Sequence, residues 1–341
     1  MLTVYTTMPE WDGSAPAEYR RDMIAHARWS EEAGCRGALV FSDNEQLEAW
    51  TAAQLIVAHT EMFIPLIAVN PVYMHPFSVA QMVSAIGVLH QRTVDLNLVS
   101  GGFEVHRRKL GCRLDHGQRY ERLTEYGQII KSLLAGNRPT SQRGAYYTVE
   151  AASLAQPLDP GLTPRIYVSG ASEDCIRAQR NLAIERLTYP REPGSYAGVT
   201  PLAACGVRIG IIAREDSASA WRVARRRFPY DPSGEQAHDW ASKLVKSHWH
   251  KQQSIDALAD PAPNGAYWLY PFRAYRTFAP YLVGSYAEVG ELFARYRDQG
   301  VRTVILDHFP DPDELHHALM ALARSSRPAT VTLPGAAPSA R

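Results

Sequence analysis

A loop rich in ionisable side chains lies between a short apolar run and a long helical pattern in residues 93–121. The run TVDLNLVSGG, which starts at Thr93, predicts a buried strand that ends at a glycine pair. The segment that starts near His116 spaces its apolar residues as one face of a helix. A polar loop at the carboxyl end of a buried strand is typical of an active site in α/β proteins. A solvated loop without chemistry would carry the same charges, and the pattern alone leaves both interpretations open.

A second candidate is the sequence IYVSGASED, which begins at Ile166. It predicts a strand, a turn of small residues and the start of a helix. The backbone amides of Gly170, Ala171 and Ser172 could bind an anion, assisted by the helix dipole. The alternative is an ordinary helix cap, in which the Ser172 side chain accepts a hydrogen bond from the first turn.

A third candidate is Arg208, which stands on the otherwise apolar strand pattern GVRIGIIAR. Burying an arginine is costly unless its charge meets a partner. A carboxylate partner would indicate a structural role, whereas an anionic oxygen of a ligand would indicate a functional one.

The elements that would position these residues alternate between strand and helix. Such alternation predicts parallel strands joined by crossover helices, and eight repeats predict a (β/α)8 TIM barrel with its site at the carboxyl ends of the strands. An open doubly wound sheet would be expected to show G-x-G-x-x-G after the first strand, where this chain has TMPEWDGSAP. The predicted strands are Leu2–Thr6, Gly37–Phe41, Phe63–Val69, the strand near Thr93, Pro164–Ser169, Ile184–Thr188, Gly206–Ala213 and Val301–Leu306. Tyr146–Leu154 is predicted as an additional β excursion.

The alternation is interrupted once, between residues 229 and 280. This stretch is too long for an ordinary loop and predicts either a lid or a disordered insertion. The expected organisation is one barrel domain over residues 1–325, with the insertion at about 229–280. Residues 326–341, rich in proline, alanine and serine, are expected to form a flexible tail.

Composition limits the class of protein. A formal net charge of +1 over 341 residues provides no field that would attract nucleic acid or an acidic membrane. The four cysteines contain no C-x-x-C pair, which disfavours a zinc site and a disulfide framework and suits a reducing cytoplasm. We expect no metal, no signal peptide and no membrane helix, because no apolar run approaches the required length of about 20 residues. A G-x-S-x-G motif is also absent from the sequence, which argues against an α/β-hydrolase.

The first loop resembles a signature of the bacterial-luciferase-like flavin monooxygenases, most closely the alkanesulfonate monooxygenase branch. In that family a strand ending in N-x-V-[TS]-G is followed by an insertion and by L-D-H-x-x-R-Y-E at the start of a long helix. The matching residues of this chain are Asn97, Val99, Ser100, Gly101, Leu114, Asp115, His116, Arg119, Tyr120 and Glu121.

The resemblance implies a cofactor and an activity. Reduced FMN would react with O2 through a peroxyflavin and oxidise a small organic substrate, while a separate NAD(P)H:flavin reductase supplies the FMNH2. It also implies a homo-oligomer, a dimer or a tetramer. The residues implied to act in catalysis are Arg208, His116 and Asn97. The residues implied to bind the cofactor are Asn97, Ser100, Tyr120, Ser169, Gly170, Ala171, Ser172 and Tyr189.

This chain departs from the alkanesulfonate branch at several positions. Gly210 replaces a histidine and Tyr189 replaces a tryptophan, while Arg273 and Arg276 only approximate an arginine of the insertion. The missing side chain at Gly210 suggests room for a bulkier substrate than a small sulfonate. Two alternatives therefore stay open: an F420-dependent hydride-transfer oxidoreductase, or a non-catalytic flavin-binding barrel. The residues expected to line the substrate pocket are Arg276, His308 and Phe309.

Overall fold

The computed structural model describes residues 1–196, 202–244, 254 and 265–325. Eight parallel strands close into a barrel, since the first strand pairs with the last through Val4 and Val304. The predicted (β/α)8 barrel is therefore confirmed. Numbered in chain order, the barrel strands are β1 (Thr3–Thr7), β2 (Gly37–Val40), β3 (Ile64–Val69), β4 (Asp95–Leu98), β7 (Ile166–Ser169), β8 (Glu185–Thr188), β9 (Cys205–Arg214) and β12 (Thr303–Leu306).

Helices surround the barrel, and local sequence signals fix where several of them begin. Proline occupies the first turn of five of them, where its missing amide hydrogen costs nothing. Asp115 forms a capping box with Gln118 at the start of the fifth helix. The helices are α1 (Pro16–Glu32), α2 (Ala49–His59), α3 (Pro76–His90), α4 (Glu104–Lys109), α5 (His116–Ala135), α6 (Glu173–Leu182), α7 (Ser217–Arg227), α8 (Pro232–Leu244), α9 (Tyr270–Arg273), α10 (Tyr286–Asp298) and α11 (Pro312–Arg324), with short 3-10 turns at Pro160–Leu162 and Pro193–Tyr196.

Two additions lie outside the barrel. The predicted β excursion is a hairpin of β5 (Thr140–Arg143) and β6 (Thr148–Ala152). The second addition, β10 (Tyr267–Trp268) with β11 (Tyr281–Ser285), was not predicted. It exists because β9 is long: its first half pairs with β12, whereas Gly210 and the residues after it pair with β11.

A polar network closes the amino-terminal end of the barrel. The Tyr5 hydroxyl donates a 2.5 Å hydrogen bond to Asp95 Oδ2, and Arg36 Nε lies 2.8 Å from the same oxygen. Asp95 and Tyr5 are both fully buried. Because the charge of Asp95 is paired and hydrogen-bonded within the protein, this end of the barrel is closed, and the opposite end is left for a ligand.

The insertion and the tail are only partly described. Helix α8 and the segment 265–280 of the insertion belong to the described structure, and Phe272 of α9 is fully buried. The predicted lid falls partly outside the described residues and stays a prediction. The predicted flexible tail, residues 326–341, lies entirely outside them.

Candidate active site

A cavity of about 280 Å³ opens at the carboxyl ends of the barrel strands. Asn97, Gly170 and Arg208 all line it, as the alternation of elements predicts. The Ser169 hydroxyl donates a 2.8 Å hydrogen bond to Asn97 Oδ1, which ties the ends of β4 and β7 together. The barrel therefore brings three separate sequence candidates to one site.

The turn after β7 ends at a capped helix. Ser172 Oγ accepts a 3.3 Å hydrogen bond from the Cys175 amide and lies 2.9 Å from His116 Nε2. His116 Nδ1 lies 3.1 Å from Arg119 Nη2, a guanidinium nitrogen that can only donate, so Nδ1 accepts and Nε2 carries the hydrogen. Ser172 Oγ thus accepts twice and keeps its own hydroxyl hydrogen as a donor. Together with the start of α6, this arrangement suits a phosphate.

Glycine is required at position 170 because the Tyr120 hydroxyl occupies the space that a side chain would need. The φ of Gly170 is +143°, and a Cβ atom placed there would overlap the Tyr120 hydroxyl and lie 3.0 Å from Cys175 Sγ. That hydroxyl donates a 2.9 Å hydrogen bond to the Ser169 carbonyl, which fixes the turn. Burial raises the pKa of the Cys175 thiol to about 12, so it stays a neutral packing group.

Arg208 lines the cavity and is paired with a carboxylate. Its Nε and Nη2 lie 2.7 Å and 2.6 Å from Asp307 Oδ1, and the Asp307 side chain is 1% exposed. Asp307 Oδ2 accepts a 2.6 Å hydrogen bond from Thr277. Burial alone would lower the pKa of Arg208, but the Asp307 carboxylate outweighs burial and raises it, so the guanidinium stays charged.

Aromatic rings surround this guanidinium on the cavity side. Its central carbon lies 4.7 Å from the centre of the Phe41 ring and 5.7 Å from that of Tyr189. The Tyr189 hydroxyl is 3.3 Å from Arg208 Nη1. Such rings stabilise a cation while excluding water from it. Arg208 therefore presents a fixed, largely buried positive charge to the cavity, whose lining also includes the Glu10 carboxyl group.

The three residues predicted for the substrate pocket do not line this cavity. Arg276 pairs with Asp231 at 2.5 Å, and its side chain is half exposed. The His308 side chain is exposed, whereas its backbone amide donates to Thr7 Oγ1. Phe309 is 4% exposed and packs in the core between barrel and helices. The prediction chose the two residues after Asp307, because an isolated strand end does not show which side chain turns inward.

The room expected beside Gly210 is also absent. A Cβ atom at Gly210 would overlap the Tyr281 ring, which is fully buried. Gly210 is therefore a packing glycine between β9 and β11, and the inference of a bulkier substrate from this position was wrong. The sequence could not show this, because β11 was not predicted.

Two buried arginines that line the cavity were not predicted as site residues: Arg107 on α4 and Arg119 on α5. The signal was present, since both lie in the ionisable loop and helix start that the sequence singles out. The described residues contain neither a helix that could cross a membrane nor a group of three side chains suited to a metal ion.

A closed barrel of alternating strands and helices, with a charged and partly aromatic cavity at the carboxyl ends of its strands, is the architecture of a (β/α)8 enzyme. Residues 1–303 match the family described as luciferase-like monooxygenase, and the chain belongs to this family. It is therefore a flavin-dependent monooxygenase.

Known proteins similar to this chain include a curated relative and solved structures. The chain is 28% identical over 307 residues to the 4-(gamma-L-glutamylamino)butanoyl-[BtrI acyl-carrier protein] monooxygenase BtrO of Niallia circulans, covering 88% of this chain and 90% of the relative. Its fold resembles the oxygenating constituent of 3,6-diketocamphane monooxygenase of Pseudomonas putida, solved with FMN (TM-score 0.68, 15% identity, 98% of this chain and 100% of that one). It also resembles an F420-dependent secondary alcohol dehydrogenase (TM-score 0.59, 16% identity, 96% and 98%).

Proposed function

We propose that this protein uses reduced FMN and O2 to oxidise a small organic substrate, with the FMNH2 supplied by a separate flavin reductase. The observation that carries the proposal is the cradle of Gly170, Ala171 and Ser172 opening into the same cavity as Asn97 and Arg208. A phosphate at the cradle would leave the rest of the cavity for a ring system and a substrate.

The residues present fit FMN. The turn amides, the Ser172 hydroxyl and the start of α6 offer donors to a phosphate, and His116 holds the serine in place. Asn97 and Tyr189 line the wider part of the cavity beside Arg208. When bound, FMN supplies the activation of oxygen, which no side chain of the chain can perform.

The chain's own residues bind, orient and shield. Phe41, Tyr189 and Phe278 cover the cavity with apolar surface, which limits the access of water. Arg208 holds a positive charge where an anionic oxygen of the reacting groups would gain from it. Asp307 and Thr277 keep that guanidinium in one orientation.

We assign the substrate to the class of acyl thioesters carried on a pantetheine arm. This assignment rests on the likeness to BtrO, a monooxygenase of an acyl group on an acyl-carrier protein. An alkanesulfonate is the weaker candidate, because Gly210 replaces a histidine of the alkanesulfonate branch and Arg276 does not line the cavity. A dimer or tetramer in the cytoplasm stays a prediction.

Two alternatives are tested by the same experiment. An F420-dependent hydride transfer is suggested by one of the similar folds. A flavin-binding barrel without chemistry would keep the cradle alone. Titration of the protein with FMN, reduced FMN and F420, followed by measurement of oxygen uptake with a reductase present, distinguishes the monooxygenase from these two alternatives.

The cradle itself is tested by comparing FMN with riboflavin, which lacks the phosphate. We expect Ser172→Ala to weaken FMN about tenfold and to leave riboflavin unchanged, because only the phosphate meets the lost hydroxyl. Loss of the Ser172 helix cap is expected to lower the stability of the protein by about 1 kcal/mol, so folding of the variant is checked by circular dichroism. Equal binding of FMN and riboflavin by the unaltered protein would contradict the proposal.

A further inference from the structure

A second cavity, of about 680 Å³, adjoins the first on the side of α4. Arg107, His116 and Arg119 line both cavities and form the wall between them. Ser172 and Gly170 line only the first. We call the second cavity the basic chamber, and its lining residues are Glu104, Arg107, Arg108, Cys112, Arg113, Leu114, Asp115, His116 and Arg119.

The wall of the basic chamber contains two buried cations. Arg107 and Arg119 are each only 6% exposed, and their Nε atoms are buried without a hydrogen-bond partner among the described residues. Burial lowers the pKa of both guanidinium groups. Arg119 also donates from Nη1 to the Leu114 carbonyl and from Nη2 to His116 Nδ1, but none of these partners is charged. A buried guanidinium is costly unless an anion pairs with its charge.

The carboxylates of the chamber are already engaged. Glu104 pairs with Arg108 at 2.8 Å, and Asp115 accepts the Gln118 amide as the cap of α5. The Glu104 carboxylate also acts on Arg107 and the Asp115 carboxylate on Arg119, each raising the pKa of its arginine against the effect of burial. Among the described residues the chamber is lined by four arginines and two carboxylates, so positive charge is in excess there, although the whole chain has a net charge of only +1.

We propose that the basic chamber binds the phosphate ester of the pantetheine arm that carries the acyl substrate. This inference rests on the proposed function, which places the oxidation in the first cavity. The proposed site of the flavin phosphate is at Ser172, on the other side of the wall. The chamber would therefore bind a different anion. Arginine is suited to a phosphate because its planar group donates two parallel hydrogen bonds.

The arrangement of the two cavities would orient the substrate. The phosphate end would lie in the chamber, and the acyl end would reach through the wall of Arg107 and Arg119 to the first cavity. The chamber is open to solvent near the exposed side chains of Arg108 and Arg113. An arm attached to coenzyme A or to a carrier protein could therefore enter from outside while its carrier stays at the surface.

The test compares 4′-phosphopantetheine with pantetheine, which differ only by the phosphate. We expect calorimetry to show at least tenfold tighter binding of the phosphorylated compound. The variant Arg108→Gln/Arg113→Gln should lose most of this preference, because both arginines line the chamber and neither lines the first cavity. The matched control is Arg138→Gln/Arg143→Gln, two exposed arginines near the hairpin β5–β6, which should keep it.

Equal binding of the two compounds by the unaltered protein would overturn the inference. A reduced preference for FMN over riboflavin in Arg108→Gln/Arg113→Gln would also overturn it, because the chamber would then serve the flavin phosphate. Failure of the unaltered protein to bind FMN would instead defeat the proposed function, whatever the pantetheine result. Binding of coenzyme A and of a pantetheinylated carrier protein is measured with the same variants. The compound whose binding depends on Arg108 and Arg113 is the source of the arm.

Discussion

At the scale of single residues, Arg208 combines a position on the cavity wall with a fully engaged carboxylate partner. These two facts do not exclude each other, since an ion pair can orient a charge that acts on a ligand. The pair itself is a structural element, because Asp307 would be an unpaired buried charge without the arginine.

The pair is expected to affect stability and turnover separately. Arg208→Met should destabilise the fold by about 3 kcal/mol, because it leaves the Asp307 carboxylate buried alone. The double variant Arg208→Met/Asp307→Asn should regain part of this stability but no turnover. Arg208→Lys should fold and bind FMN, yet lose much of its turnover, since lysine cannot reproduce the planar contacts. Thermal unfolding and oxygen uptake measure the two effects, and normal substrate oxidation by folded Arg208→Met would contradict the functional role.

Gly170 shows a second constraint at this scale. Gly170→Ala should lower the melting temperature, because the added Cβ overlaps the Tyr120 hydroxyl and the backbone φ is positive. In the double variant Gly170→Ala/Tyr120→Phe the overlap is relieved, and we expect partial recovery in thermal unfolding. Additive losses in the double variant would show that Tyr120 is not the obstacle.

At the scale of elements, the long strand β9 joins the barrel to the β10–β11 addition. The contact depends on Gly210, which lets the buried Tyr281 ring lie flat against the strand. The same element carries Arg208 two residues earlier, so the packing of β11 and the orientation of the site share one strand.

Gly210→Ala is expected to destabilise the protein by about 1–3 kcal/mol through overpacking. Tyr281→Leu in the same chain should offset part of this loss, because the smaller side chain makes room for the methyl group. Chemical denaturation of the single and double variants measures the coupling. A matched control is Gly102→Ala, since a Cβ atom there has no neighbour within 4 Å. A stable Gly210→Ala protein would contradict the packing role.

At the scale of the whole molecule, a buried histidine links stability to pH. His26 on α1 is 4% exposed, its Nε2 has no hydrogen-bond partner among the described residues, and it packs 4.2 Å from the Trp29 ring. Burial lowers its pKa from 6.5 to about 3. Between these values the unfolded chain binds more protons than the folded protein, so stability falls as the pH drops below about 6.5.

We expect His26→Leu to remove part of this pH dependence. At pH 4.5 the histidine costs roughly 3 kcal/mol relative to neutral pH, from the difference between the folded and unfolded pKa values. Urea denaturation of both proteins at pH 7.5 and pH 4.5 should therefore show a smaller acid loss in the variant. An equal loss in the two proteins would mean that other groups control acid unfolding.

The sequence by itself determined the barrel and the end of it at which the candidate site residues meet. Apolar runs of strand length alternate with helical patterns, and parallel strands joined in this way can close only with their carboxyl ends together. Asn97, Gly170 and Arg208 therefore had to meet, although they are far apart in the chain. The cap at Ser172 was also readable, because it depends only on residues within one turn.

Tertiary structure decided what depends on contacts between distant elements. The carboxylate partner of Arg208, the Tyr281 ring against Gly210 and the Tyr120 hydroxyl against Gly170 each come from another part of the chain. Hydrophobic periodicity reports which face of an element is buried but not which side chain from elsewhere fills the space. The same limit explains why Arg276, His308 and Phe309 were predicted to line the cavity and lie outside it, while the buried arginines of the basic chamber were overlooked.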